Sequence, residues 1–388
     1  MMMAAQSSER GGEIAALTGL RGFAALWVLV FHVRGAAGPR PIELAIGGWT
    51  LDFTPFFSIG WAGVQVFFVL SGFLLALPYV RWSSGAAARP RVGPYLARRC
   101  ARVLPGYYLQ LFILIACLWL LDGQWVIAGI GDLIGYAAML FIPEPLGVRL
   151  LNGMWWTLPI EFSFYLVLPL LADLLRGWRV AALLVLGVGI MIAWRGFTIM
   201  LLAADPPGTR LLLGYQLPGA LDSFALGMAA AVLYQHGGFS RWLGAGQGRC
   251  ELLALAGIAL GIVAVYWMEH GYRAYWTPAP ITFLWTPLFS LATATVILAA
   301  TAGARPLLWL FANPVALYLG TVSYGIYLWH FPLLQWLVRA RPPGEDYALP
   351  WLLPACLGLT VAVAALSWHW VEQPVIARVR LALTRRRV

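Results

Sequence analysis

The chain has 388 residues, of which 61% are hydrophobic and only 11% charged, with a formal net charge of +10. A soluble globular domain carries about 25% charged residues, so this composition excludes one and belongs to a membrane protein. All 26 basic residues are arginine, which excludes chemistry that needs a lysine, such as a Schiff base. No basic stripe is interleaved with aromatics, so the positive charge is assigned to membrane-flanking loops and no nucleic-acid partner is expected.

Residues 1–14 form a short polar tail. Apolar runs of about 20 residues then match the ~30 Å hydrocarbon layer of a bilayer. They predict ten transmembrane helices, over 15–36, 57–80, 104–121, 154–175, 180–203, 217–235, 250–268, 281–303, 312–337 and 350–372. The first is read as a retained span, not a cleaved leader, because it carries Arg21 and His32. The run 124–142, with Asp132 and several glycines, is read as a re-entrant or interfacial helix. Residues 378–388 are a basic tail. With the N-terminus inside, 17 arginines fall on the cytoplasmic side, seven opposite, and only Arg21 and Arg195 within spans. This follows the positive-inside rule and predicts an all-α membrane protein with both termini cytoplasmic.

Ionisable groups at membrane depth are costly and mark candidate sites. In "LRGFAALWVLVFH", Arg21 and His32 are eleven residues apart. Eleven helical steps of about 100° bring them back to one face, ~16 Å apart along the axis. That stripe reads either as the wall of a polar cavity or as interhelical hydrogen bonding, with Arg21 also placed to snorkel. In "GWAGVQVFFVLSGFLL" the small residues Gly63, Ser71 and Gly72 predict close helix packing, and Ser71 a hydrogen bond into a cavity. "ARRCARVLPGYY" sets Arg98, Arg99 and Arg102 just before the third span. They fit anionic-lipid contact or a dock for a phosphate-bearing ligand equally.

"MWWTLPIEFSFYLVLPLL" buries Glu161 in an apolar run, with Tyr165 one turn on. Its expected partners are Arg21, His32 or Arg195, and Trp155 and Trp156 are expected in an interfacial belt. "SYGIYLWHFPLL" puts Ser323, Tyr327 and His330 on one helical face, and Pro332 frees the carbonyl of Leu328. A polar network stabilising that kink is the simpler reading. Glu372, in "WHWVEQPV", is expected to clasp Arg98, Arg99 or Arg102 at the cytoplasmic interface. Arg195 and Asp222, on adjacent spans, are expected to pair. Cys100, Cys117, Cys250 and Cys356 are scattered, so neither a metal site nor a disulfide is expected.

In this order the motifs resemble the acyltransferase 3 family of integral membrane acyltransferases. The family pattern of Arg or Lys, ten residues, then His falls on Arg21 and His32; "GVQVFFVLSGF", "RRCARVLP", "WWTLPIEFSFY", "SYGIYLWH" and "VEQP" follow. The resemblance runs from about residue 15 to 377. Two departures stand out: Gln65 where the family often has Asp, and Gln373 between Glu372 and Pro374. The resemblance implies transfer of an acyl group, most often acetyl, from acyl-coenzyme A as co-substrate. The acceptor is then a hydroxyl of a carbohydrate, glycolipid or macrolide-like molecule, with the protein among the lipids of the bacterial cytoplasmic membrane. Within that reading His32 is the general base, and Glu161 orients it or stabilises its charged form. Arg21 or nearby hydroxyls stabilise the oxyanion, and Arg98, Arg99 and Arg102 hold the donor. Ser71, Trp156, Tyr165, Ser323, Tyr327, His330 and Glu372 line the cavity or support it. Family members with an added extracytoplasmic esterase-type domain are longer than this chain, so transfer is expected to end on an acceptor that reaches the membrane unit. Whether a covalent acyl-enzyme forms stays open. The competing reading is a proton-coupled transporter, which also needs intramembrane His, Glu and Arg.

Overall fold

The computed structural model describes residues 15–142, 147–205, 207–244, 246–340 and 349–385. Arg10 and Arg341, both counted in the topology, the tail 1–14 and the last three residues of the basic tail lie outside them. The described chain is helical almost throughout, and nine of its helices are long and apolar enough to cross a membrane.

In chain order, α1 (Ala15–Ala36) leads to a β-hairpin of β1 (Glu43–Ile46) and β2 (Trp49–Asp52) that the span count did not anticipate. Gly47 and Gly48 turn it with φ of 54° and 85°, the backbone that a two-residue turn of the primed type requires. The Gly-Gly pair between two short apolar runs was the signal. Then come α2 (Thr54–Ser58), α3 (Gly63–Ser83), α4 (Val92–Asp122), α5 (Ile130–Ala137), α6 (Leu158–Leu171), α7 (Arg179–Leu201), α8 (Pro207–Gly214) and α9 (Leu217–Gln235). They are followed by α10 (Gly237–Gly244), α11 (Gln247–Gly271), α12 (Pro280–Thr301), α13 (Arg305–Phe311), α14 (Pro314–Thr321), α15 (Ser323–Arg339), α16 (Leu349–Ser367) and α17 (Gln373–Arg385).

Four predicted elements change. The span 312–337 is broken at Val322 into α14 and α15. The segment 124–142 is helical only over the eight residues of α5, which the hydroxyls of Tyr107 and Tyr108 tie to α4 through the carbonyls of Tyr136 and Ala137. The span expected at 104–121 starts at Val92, so Arg98, Arg99 and Arg102 stand on a helix and not in a loop. Its 31 residues extend about 46 Å, well beyond a ~30 Å hydrocarbon layer. The last span passes through a π-helical turn, Trp368–Glu372, directly into α17.

At the centre, α3 and α9 cross in close contact. A Cβ on Gly72 would lie 2.4 Å from the Phe224 carbonyl oxygen, and one on Gly227 2.1 Å from that of Val69. Two glycines thus let the backbones meet, as the small-residue reading of "LSGF" expected. On one flank of this pair α1 packs on α3, α14 and α15. There Thr18 meets Gly320 and His32 meets His330, so α1 and the α14–α15 pair run in the same direction.

Candidate active site

The break before α15 and the proline within it organise one wall of the interior. Pro332 lacks an N–H, so the Leu328 carbonyl has no helical donor. Gln110 Nε2 and Asn152 Nδ2 donate to it at 2.8 and 2.9 Å, while Asn152 Nδ2 and Trp155 Nε1 donate to Gln110 Oε1 at 2.9 and 2.7 Å. These side chains are buried, where an unpaired carbonyl would cost about 1–3 kcal/mol. Trp155 is therefore a core residue and not part of an interfacial belt. Trp156 is half-buried, its ring 5.3 Å from that of Tyr215.

Beside the kink, His32 and His330 meet. Nδ1 of His32 lies 2.9 Å from the Val28 carbonyl oxygen, Nδ1 of His330 lies 3.0 Å from that of Ile326, and His330 Nε2 is 3.3 Å from His32 Nδ1. A carbonyl only accepts, so each Nδ1 carries the proton. His330 Nε2 is then a lone pair sharing the His32 Nδ1–H, and His32 Nε2 is a second lone pair. Among the described residues nothing donates to His32 Nε2. His32 lines a cleft of ≈ 340 Å³ with Phe31, Gly35, Ala36, Phe331, Leu334 and Val338. The partner of His32 is thus His330.

Glu161 occupies a different place. It lies in the first turn of α6, where its Oε1 accepts from Ser71 Oγ at 3.2 Å and from Tyr165 O–H at 2.5 Å. The expected contact of Glu161 with His32, Arg21 or Arg195 is not made, because the facing α3 presents Ser71 at that level. Glu161 and Arg99 both lie within electrostatic reach of Tyr95 and Tyr165. Around them Tyr79 O–H, Tyr95 O–H and Arg99 Nε are buried with no hydrogen-bond partner, and Arg98 reaches Tyr79 electrostatically. Tyr79 and Tyr95 went unremarked in the sequence, since an aromatic in an apolar run carries no polar signal of its own.

The remaining candidates have defined places. Tyr327 donates to the Met154 carbonyl and meets Thr157 Oγ1, at 3.2 and 3.1 Å. Its ring lies 6.0 Å from that of His330, and Glu161 reaches it electrostatically. Ser323, the first residue of α15, donates to the Gly320 carbonyl at 2.8 Å and so ties α15 to the end of α14. Glu372 is buried in the π-helical turn, accepts from Ser367 Oγ at 3.0 Å and feels Arg102. Arg102 also lies over the Trp368 ring and donates to the Thr321 carbonyl. Of Arg98, Arg99 and Arg102, Arg102 is the one within electrostatic reach of Glu372. Arg21 is half-buried on α1, three turns from His32.

A second polar cluster lies across α3. Arg195 donates to the carbonyls of Gly219 and Thr282 and to Tyr275 O–H, and lies over the rings of Tyr215 and Trp276. The hydroxyls of Tyr215 and Tyr275 meet at 2.6 Å, and Gln65 Nε2 donates to Tyr215. The expected Arg195–Asp222 ion pair is absent as a contact, because backbone carbonyls occupy the guanidinium; Asp222 acts on it only at longer range.

Long apolar helices enclosing a polar track define the class, an integral multi-pass membrane protein. The profile of the acyltransferase 3 family, described as an acyltransferase domain, matches residues 14–369, and the chain belongs to that family. It is similar to Nodulation protein 10 of Rhizobium leguminosarum bv. viciae, at 27% identity over 88% of this chain and 88% of the relative. It is also similar to the acyltransferase MdmB of Streptomyces mycarofaciens, at 26% identity over 92% and 88% of the two chains. The peptidoglycan O-acetyltransferase OatA of Listeria monocytogenes is 24% identical over 93% of this chain but only 56% of its own length. No solved structure matches the chain. The protein is therefore a membrane acyltransferase of the O-acyltransferase type, and an acyl donor is its co-substrate.

Proposed function

We propose that the protein moves an acyl group, acetyl in the first instance, from acyl-coenzyme A to a hydroxyl of a carbohydrate or glycosylated acceptor, a glycolipid or macrolide-like molecule included. The observation that carries this reading is the polar track from the arginine-bearing turns of α4 to His32, whose Nε2 has no donor. The donor's phosphates sit at Arg98, Arg99 and Arg102, where guanidinium forks suit them; the orphaned groups of Arg99, Tyr79 and Tyr95 supply further donors. Glu161, held by Ser71 and Tyr165, organises the middle of the track. Arg21 lies ~16 Å from His32 along one helix. It therefore belongs to the donor's route and not to the oxyanion, which forms within hydrogen-bond reach of the base.

At the reacting end, His32 Nε2 takes the proton of the acceptor hydroxyl as its oxygen attacks the thioester carbonyl. The tetrahedral intermediate collapses, the C–S bond breaks, and the thiolate takes that proton back, leaving an ester and a free thiol. General-base help of this kind contributes ~10²–10⁴ in rate. His330 supports the charge that develops on His32 through the shared Nδ1 proton. Direct transfer needs no acyl-enzyme, and labelled acyl-protein trapped without acceptor would replace it with a covalent route. In this reading the membrane is a bacterial inner membrane and the donor end faces the cytoplasm, an orientation that the positive-inside distribution of the arginines supports.

The test is transfer from labelled acetyl-coenzyme A in proteoliposomes, together with mass spectrometry of extracts from a deletion strain and its parent. Thioester consumption, one missing acyl group in the deletion strain and a raised KM for the donor in Arg99→Ala are expected. Normal acylation without thioester consumption would overturn the donor assignment.

A further inference from the structure

The polar track ends at His32. Beyond it, away from the arginine-bearing turns of α4, α1 and α15 bound an open cleft at the protein surface, with Gly35 and Gln335 exposed at its rim. The ≈ 340 Å³ cleft between α1 and α15 is bounded by Phe31, Gly35, Ala36, Phe331, Leu334 and Val338, and its only polar lining residues are His32 and Gln335. From Phe331 to Val338 it extends about 10 Å along the helix. A sugar buried there would leave most of its hydroxyls without partners, each at a cost. A hydrocarbon chain meets no such penalty.

Besides its own oxygen, three atoms surround the reacting carbonyl carbon: the donor sulfur, the incoming oxygen and the first carbon of the acyl chain. The sulfur comes from the phosphate end, and the oxygen must reach His32 Nε2. For an acceptor whose reacting hydroxyl sits on a sugar, the acyl carbon is the one of the three that continues directly into hydrocarbon, and the apolar space adjoins His32 directly. At roughly 30 Å³ per water-sized group, the cleft is far larger than the methyl of an acetyl group requires. Gly35 adds a second observation, because a Cβ built on it meets nothing within 4 Å. Gly35 is exposed, so it stands at the open rim of the cleft, where a larger side chain would narrow the mouth.

We infer that this cleft is the acyl-chain pocket of the enzyme and that it admits straight aliphatic chains longer than acetyl. Gly35 sets its capacity. The inference rests on the proposed thioester donor and adds the class of acyl group transferred.

The experiment compares hexanoyl- and acetyl-coenzyme A as donors for the wild type and for Gly35→Phe. The wild type is expected to transfer both, and Gly35→Phe to lower the hexanoyl-to-acetyl ratio about tenfold or more, the scale at which pocket length discriminates. An unchanged ratio, or a wild type that refuses hexanoyl, overturns the inference. A second measurement stands apart from coenzyme A. Maleimide labelling of Ala36→Cys, read by mass spectrometry at that residue, is followed with the N-acetylcysteamine thioesters of hexanoate and acetate. Protection by the hexanoyl thioester alone is expected, and equal or absent protection overturns the pocket. If no coenzyme A thioester is consumed while that protection persists, the donor assignment fails and the pocket stands.

Discussion

Two buried polar clusters flank α3, and from the sequence alone both are costly ionisable groups in apolar helices. Around Arg195, the guanidinium donates to two backbone carbonyls and a tyrosine and lies over two aromatic rings. Around His32, one ring nitrogen is held by Val28 and His330 while the other has no donor and borders a cleft. In the first cluster the guanidinium is fully engaged and holds α7, α9 and the start of α12 together, although Gln65 Oε1 and the Asp222 carboxylate beside it are buried without hydrogen-bond partners. The second has a vacant lone pair beside open space, which chemistry needs and a structural clasp does not. Cost at membrane depth therefore identifies candidates, and a lone pair that opens on a cleft separates the reactive group from one locked among carbonyls and rings.

Four variants break or sharpen that contrast. His32→Ala is expected to lower transfer by ~10²–10⁴ with an unchanged melting profile in detergent. Near-normal acylation would remove His32 from the reaction. Arg195→Met removes the guanidinium's hydrogen bonds to two helical carbonyls and to Tyr275, and at about 1.5–3 kcal/mol per bond to a charged group it is expected to lower thermal stability in detergent clearly. Its rate per folded molecule should stay near wild type, and a specific loss of rate would move Arg195 into the active site.

His330→Ala is expected to cost on the order of ten- to a hundredfold in rate, the range typical of groups that orient a functional histidine from behind. His330→Gln, which can still accept from His32, should recover part of that loss, whereas a purely packing role predicts no such rescue. The smaller stability loss is expected of Asn152→Ala. It leaves the Leu328 carbonyl with Gln110 as its remaining donor and also removes the bonds to Gln110 Oε1 and from the Met154 N–H, and about 1 kcal/mol of stability per lost bond is expected to go. Chemical denaturation read by tryptophan fluorescence measures it.

The spans, their motifs and the His32 and Glu161 candidates were legible because a charge in an apolar run is conspicuous whatever surrounds it. The freed Leu328 carbonyl was legible too, since Pro332 removes a donor in any helix. Its partners Gln110, on α4, and Asn152, in the bend before α6, were not, because those segments meet α15 only through long-range packing. Glu161 shows the same limit. Its spacing predicted a buried carboxylate in need of partners, but Ser71 and Tyr165 were two of many hydroxyls available. The unbroken α4 was hidden by its arginines, which read as a loop in a hydropathy scan yet are good helix formers. The break at Val322 was hidden by the opposite case, an apolar run that looks continuous.

What the sequence determined by itself is local: hydropathy sets which segments enter the bilayer, arginine asymmetry sets their direction, and proline and glycine set where backbones bend or touch. These depend on residue type and spacing alone. What the tertiary structure decided is which polar groups meet. His32 faces His330 and not Glu161, Arg195 faces carbonyls and not Asp222, and a cleft opens where Gly35 has no neighbour. Those outcomes depend on how α1, α3, α6 and α15 rotate and slide against one another, and one helical step of about 100° exchanges one partner for another.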